Sequence, residues 1–176
     1  MQYSVVNRRE RKLNRLQKYD YSQNGYYFIT VCAKGKIEYF GKIENGKMIL
    51  NEYGKIVKQQ WLWLAKQYNY VNLDEFIIMP NHLHGIIVVG TGRDLSLRYE
   101  MPDKPKIKSL SELMGAFKTT SSKLIHRNGL PEFQWQRSFY DHIIHDEKSL
   151  EKIREYIANN PLKWDFDRNN QDNLYN

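Results

Sequence analysis

Residues 75–89 read EFIIMPNHLHGIIVV, two apolar runs (Glu75–Met79 and Leu83–Val89) separated by the turn pair Pro80-Asn81. Each run is too short for an ordinary helix and rich in isoleucine and valine, so the segment predicts two neighbouring strands. A hairpin this apolar needs further strands beside it and helices over it, and the flanking sequence supplies both.

Upstream, Gly25–Gly35 (GYYFITVCAKG) is β-branched and aromatic and reads as a strand. Phe40–Ile43 and Lys47–Leu50 flank Glu44-Asn45-Gly46, where Asn-Gly predicts a tight hairpin. Asn51 caps a helix running to about Tyr68, with Ile56, Trp61, Leu62 and Leu64 on or near its buried face. Downstream, residues 90–108 are polar, with glycine early and proline late, and read as a surface loop. Ser109 and Glu112 make a capping box for a helix to about Arg127. Phe133–Ile144 reads as extended, and Glu147–Asn160 as a last helix with Leu150, Ile153 and Ile157 inward, stopped by Pro161. The order predicts an α+β fold: a ferredoxin-like β-α-β-β-α-β antiparallel sheet with helices on one face, an inserted hairpin and a C-terminal helix. The chain divides into a basic arm over 1–19, one domain over 20–165 and a polar tail over 166–176.

Composition narrows the class of function. The 27 Lys and Arg outnumber the 20 Asp and Glu for a formal charge of +7, which favours polyanions such as nucleic acid. The excess is concentrated in Asn7–Lys18, where Arg8, Arg9, Arg11, Lys12 and Arg15 form a candidate phosphate-contacting arm. The single cysteine, Cys32, excludes a disulfide framework and a cysteine-based zinc site. No apolar run reaches the roughly 18 residues of a membrane span, and the N-terminus lacks a signal-like apolar stretch. These features predict a soluble protein of a reducing cytoplasm.

On a strand starting near His82, a period of two puts His82 and His84 on one face and Leu83 on the other. Two imidazoles there offer an open, two-ligand metal platform, or are simply a polar pair at a strand end. On the last helix, Lys152, Tyr156 and Asn160 lie at i, i+4 and i+8 and share a polar stripe, as a tyrosine packing at the core edge also would. A phenol is a weak nucleophile at neutral pH and needs a nearby cation. A metal on His82 and His84 would supply one, with the Asn160 oxygen as a third, hard ligand and Lys152 neutralising phosphate charge. Arg137 is a further phosphate-contact candidate, and Trp135 and Phe139 either stack bases or fill core.

His82-Leu83-His84, within MPNHLHGIIVV, resembles the His-hydrophobe-His signature of single-tyrosine HUH transposases. The stretch from Trp135 to His142 (WQRSFYDH), followed by Tyr156 to Pro161 (YIANNP), is similar to the branch of REP-associated tyrosine transposases, relatives of the IS200/IS605 transposases. The resemblance spans about residues 20–165. It implies His82 and His84 as metal ligands, Tyr156 as nucleophile, and Mg²⁺ or Mn²⁺ as cofactor. Asn160 falls where the IS200/IS605 proteins carry a Gln, a shorter arm in the third-ligand position. The implied activity is single-stranded DNA cleavage and strand transfer through a 5′-phosphotyrosine, often beside a DNA hairpin, with no membrane partner and as a monomer or homodimer. The bond energy is kept in the covalent link, in keeping with a chain that lacks a GxxxxGK loop.

Two alternatives have sequence discriminators. A catalytically silent single-strand or hairpin binder of the same fold shares the charge pattern. A small-nucleotide phosphoesterase would need acidic ligands on the sheet, for which Asp74 and Glu75 are the near choices. Tyr140 is a rival nucleophile, His142 and His145 with Asp141 and Asp146 an accessory metal cluster, and Gly90-Thr91-Gly92 a weak glycine motif.

Overall fold

The structure is a computed structural model that describes residues 24–90 and 107–170. Its strands are β1 (Gly25–Cys32), β2 (Gly41–Glu44), β3 (Lys47–Leu50), β4 (Val71–Ile78), β5 (His82–Val89) and β6 (Tyr140–Ile144). Its helices are α1 (Glu52–Gln67), α2 (Leu110–Arg127) and α3 (Glu147–Asn159), with short 3₁₀ turns at Lys34–Lys36 and Pro161–Phe166. The main sheet is antiparallel in the order β4-β5-β1-β6, and β2-β3 is the separate inserted hairpin. Asn45 and Gly46 both have positive φ, which an Asn-Gly turn of the mirror-image type requires. The α+β architecture is the expected one.

Helices, however, cover both faces of the sheet. Leu83, Ile87 and Val89 face α1 and α2 and join a core with Val57, Trp61, Leu64, Leu113 and Phe117. Ile86 and Val88 face the other way and pack with Leu150 and Ile157 of α3. The reason lies in β5 itself. Its apolar residues fall at both parities, every position is buried, and neither face can be left in water. Gly85 faces the α1 side, where an added Cβ would come 2.5 Å from Trp61 Cζ2, so the indole packs directly on strand backbone.

Boundaries moved where tertiary contacts decide them. β1 ends at Cys32 because Gly35 and Lys36 turn through positive φ. The extended reading of Phe133–Ile144 splits into β6 and a preceding segment held by one bridge, Ala33 to Trp135. On α1, Gly54, Val57, Trp61 and Leu64 are inward and Leu62 is exposed. Pro161 ends α3 but opens a 3₁₀ turn, since its missing N–H costs nothing at a first position. Among the described residues, no helix is long and apolar enough to cross a membrane.

Candidate functional site

β5 delivers the two histidines to the face that α3 covers. Across the sheet, Cys32 is the partner of His82 and Thr30 the partner of His84. The turn before β5 is pinned on three sides: Met79 N–H donates to the His82 carbonyl, Phe40 N–H to that of Pro80, and Ala33 N–H to that of Asn81. Both imidazoles are buried, at 0% and 1% exposure, with their Nε2 atoms 3.0 Å apart. Phe28 stacks on His84 at 5.4 Å, and Trp164 lies 6.0 Å from the His82 ring.

The hydrogen bonds fix one tautomer. Asn81 Nδ2 donates to the carbonyls of Lys36 (2.7 Å) and Asn169 (2.8 Å), so its Oδ1 is the atom 2.8 Å from His82 Nδ1. His82 therefore carries its proton on Nδ1 and presents a lone pair at Nε2. His84 Nδ1 lies 2.8 Å from Thr30 Oγ1, a hydroxyl that accepts or donates and so serves either tautomer. Burial pushes His82 down to about 3, with the charges of Lys36 and Arg168 acting the same way. His84 is held well below its ordinary value, first by burial and then by His82. Both rings are neutral at neutral pH, the form that ligates metals.

Tyr156, on α3, places its hydroxyl 3.3 Å from His84 Nε2 while the residue stays 40% exposed. Burial first, then the charge of Asp167, raises its phenol, with the Asn160 amide and Arg168 pulling the other way. Asn160 is buried one turn beyond. Its Nδ2 donates to Asp167 Oδ2 at 3.4 Å, while its Oδ1 has no hydrogen-bond partner among the described residues.

Asp167 is the residue the sequence reading missed. Together with His82 and His84 it forms a cluster whose ligand atoms all lie within 4.8 Å of one another. The Asn169 N–H donates to its Oδ1 at 2.6 Å. The expected polar tail from residue 166 thus contributes Asp167 to the site and buries Asn169 and Asn170, while Phe166 stays exposed. The signal in the sequence is the apolar set Leu162, Trp164 and Phe166 beyond Pro161, of which Trp164 is the buried anchor.

The donor set suits a divalent cation: a fixed imidazole lone pair, a second imidazole that can offer one, a carboxylate, and a buried amide oxygen without a partner among the described residues. Other sequence candidates lie elsewhere. Lys152 is exposed on α3 a turn before Tyr156, and Arg137 is exposed beside α2. Arg8, Arg9, Arg11, Lys12, Arg15 and Thr91-Gly92 lie outside the described residues. Asp74 is committed to a two-pronged ion pair with Arg154 (2.8 and 2.6 Å), which removes it as a phosphoesterase ligand. Asp146 caps α3 through the Ser149 N–H, and no second metal-type cluster forms around His142 and His145 among the described residues. Tyr140 lies 6.4 Å edge-on from Phe28 with the Arg168 guanidinium 6.0 Å over its ring. Trp135 is buried in the core, and Phe139 is partly buried against it with the Lys118 ammonium 5.5 Å over its ring, so both fill core.

Fold and site together define an α+β protein with a buried histidine pair under a partly exposed tyrosine. The chain belongs to one family with an "Uncharacterized protein" of Haemophilus influenzae, 41% identical over 172 residues covering 94% of this chain and 93% of that one. It is also similar to a "Putative REP-associated tyrosine transposase" of the same organism, 23% identical over 84% of this chain and 76% of that protein. Among solved structures, a REP-associated tyrosine transposase bound to a REP hairpin shares the fold, with a TM-score of 0.56, 18% identity, and coverage of 88% of this chain and 76% of that one. No family model matches the chain.

Proposed function

We propose that this protein cleaves and rejoins single-stranded DNA as a REP-associated tyrosine transposase or a domesticated relative. The observation that carries the reading is the Tyr156 hydroxyl, 3.3 Å from His84 Nε2 in a buried, neutral histidine pair. His82 and His84 would hold Mg²⁺ or Mn²⁺, with Asp167 and the Asn160 oxygen completing the set. When bound, the cation supplies charge that polarises a phosphoryl oxygen.

The chain's own residues do the rest. The Tyr156 oxygen bonds to the phosphorus of a DNA phosphodiester as the phenol proton passes to solvent. The bond to the 3′-oxygen breaks, that oxygen takes up a proton and leaves as a 3′-hydroxyl, and the 5′-phosphate stays on Tyr156. Attack by a second 3′-hydroxyl reverses the step and joins different ends. Phe28 and Trp164 wall the imidazoles from water on either side, and Asn81 and Thr30 orient them. Tyr156, His82, His84, Asp167 and Asn160 all come from one chain, so a monomer carries a full set.

The DNA partner rests on three supports: the +7 charge, the similarity to the Haemophilus influenzae transposase, and the fold shared with a protein solved on a REP hairpin. The arm residues Arg8, Arg9, Arg11, Lys12 and Arg15, with Lys152 near Tyr156, are proposed phosphate contacts.

The test is a covalent-trapping gel using labelled single strands from the flanks of the protein's own gene, with Mg²⁺ or Mn²⁺. A metal-dependent adduct is expected with the native protein and none with Tyr156→Phe or with EDTA. An adduct of equal yield in Tyr156→Phe overturns the assignment. Tight hairpin binding with no adduct moves the reading to a silent binder.

A further inference from the structure

A second charged surface lies away from the histidines, between α2 and the segment 133–137. From Leu113 to Pro131 the chain holds no Asp or Glu. The open groove there, about 660 Å³, has Lys118, Lys123 and Arg127 of α2 on one wall and Arg137 on the other, and among the described residues no acidic side chain lines it. Lys123 and Arg127 stand at i and i+4, one row on the exposed face of the helix.

The groove is built rather than incidental. Lys118 Nζ donates to the carbonyls of Gln136 (2.8 Å) and Ser138 (3.1 Å), tying the second wall to the helix. Trp135 Nε1 donates to Ser121 Oγ at 3.0 Å, and His126 Nε2 donates to the Phe133 carbonyl at 2.7 Å. The groove lies on the α2 side of the sheet and the histidines on the α3 side, and the wall meets the sheet at the edge a DNA strand rounds to pass from one to the other. Gln136 N–H donates to the Cys32 carbonyl at 2.8 Å, and Cys32 is the cross-strand partner of His82. Two strand spacings, roughly 10 Å, separate that wall from the strand that carries the histidines.

We infer that this groove holds the phosphate backbone of the single DNA strand that continues from the phosphodiester at Tyr156. Cations on both walls flank one line of phosphates, and the guanidinium forks of Arg127 and Arg137 match phosphate oxygens in pairs. Such contacts position a strand without reading its bases. The inference rests on the DNA reading above and extends it to a surface that the chemistry does not use.

The test compares the native protein with Lys123→Gln/Arg127→Gln/Arg137→Gln and with the charge-keeping Lys123→Arg/Arg127→Lys/Arg137→Lys. All three positions are exposed, and Lys118 is left in place because it holds the wall. Affinity for a labelled single strand running well past the cleavage position is measured against salt by fluorescence anisotropy. Each lost phosphate contact lowers the log–log salt slope by about 0.7, so the neutral triple variant should be shallower by about 2 and weaker by about tenfold. The charge-keeping variant should retain most of the native slope. Equal slopes in native and neutral proteins overturn the inference, as does an equal loss in the charge-keeping variant. If native protein forms the Tyr156 adduct while those slopes coincide, the groove assignment falls and the proposed function stands. If native protein neither binds the strand nor forms an adduct, both fall.

Discussion

Lowering the pH should unfold the metal-free protein by way of its histidine pair, and the size of the effect follows from burial. His82 is pushed down to about 3 and His84 well below its ordinary value, chiefly because no water reaches either ring. In the unfolded chain both titrate near 6.5, so the unfolded state takes up protons first as pH falls. The stability these neutral rings confer is fully present above about pH 6.5 and is lost between there and their folded values. From pH 7 to pH 5 the His82 ring costs about 2 kcal/mol, and His84 adds a loss of the same sign. Against the roughly 5–15 kcal/mol that holds a typical domain together, His82 alone corresponds to a drop of about 4–8 °C in Tm. The assay is thermal unfolding in EDTA across that range, with His82→Gln/His84→Gln as reference, because the difference between the two profiles isolates the pair. Saturating Mn²⁺ should raise Tm more at pH 7 than at pH 5, since ligation requires neutral rings. Imidazole titration followed by NMR is a direct check that does not depend on the variant folding. Parallel Tm profiles for the two proteins, or either ring titrating near 6.5, would refute the reasoning.

Asp167→Asn removes the carboxylate from the cluster and should weaken Mn²⁺ binding about 10- to 100-fold in calorimetry while the fold is kept. Unchanged affinity would remove Asp167 from the ligand set. Arg154→Ala cuts the forked ion pair that ties α3 to β4 and should cost about 1 kcal/mol in urea unfolding near neutral pH, a modest figure because both groups are partly exposed. Arg154 holds the Asp74 carboxyl below its ordinary value, so this contribution is present above the unfolded carboxylate pKa and disappears as pH falls through the folded one. An equal cost at acidic pH would assign the loss to packing of the arginine stem.

The local rules of the chain reach a long way into this fold. The Ser109/Glu112 capping box, the Asn51 cap and the Asn-Gly hairpin all form where residue chemistry places them, because each depends on partners three residues away or fewer. Leu62, expected on or near the buried face of α1, is exposed, since the edge of an apolar stripe is settled by what packs on it. Elements whose limits depend on distant partners shifted more: β4 starts at Val71, several residues before its apolar run, and β6 is short because the residues before it serve the groove and the core.

The same division runs through the site. Period-two geometry alone places His82 and His84 side by side, and helical spacing alone sets Asn160 one turn beyond Tyr156. Only the tertiary structure brings the tyrosine to the histidines, because α3 must first cross the face of the sheet that the apolar residues of β5 leave uncovered. The chain after Pro161 then folds back so that Trp164 packs beside His82 and Asp167 reaches the pair, an arrangement fixed by contacts some eighty residues apart. Local sequence determined which groups share a face. Long-range burial decided which faces meet, and with them the charge, the protonation and the place of Asp167 in the site.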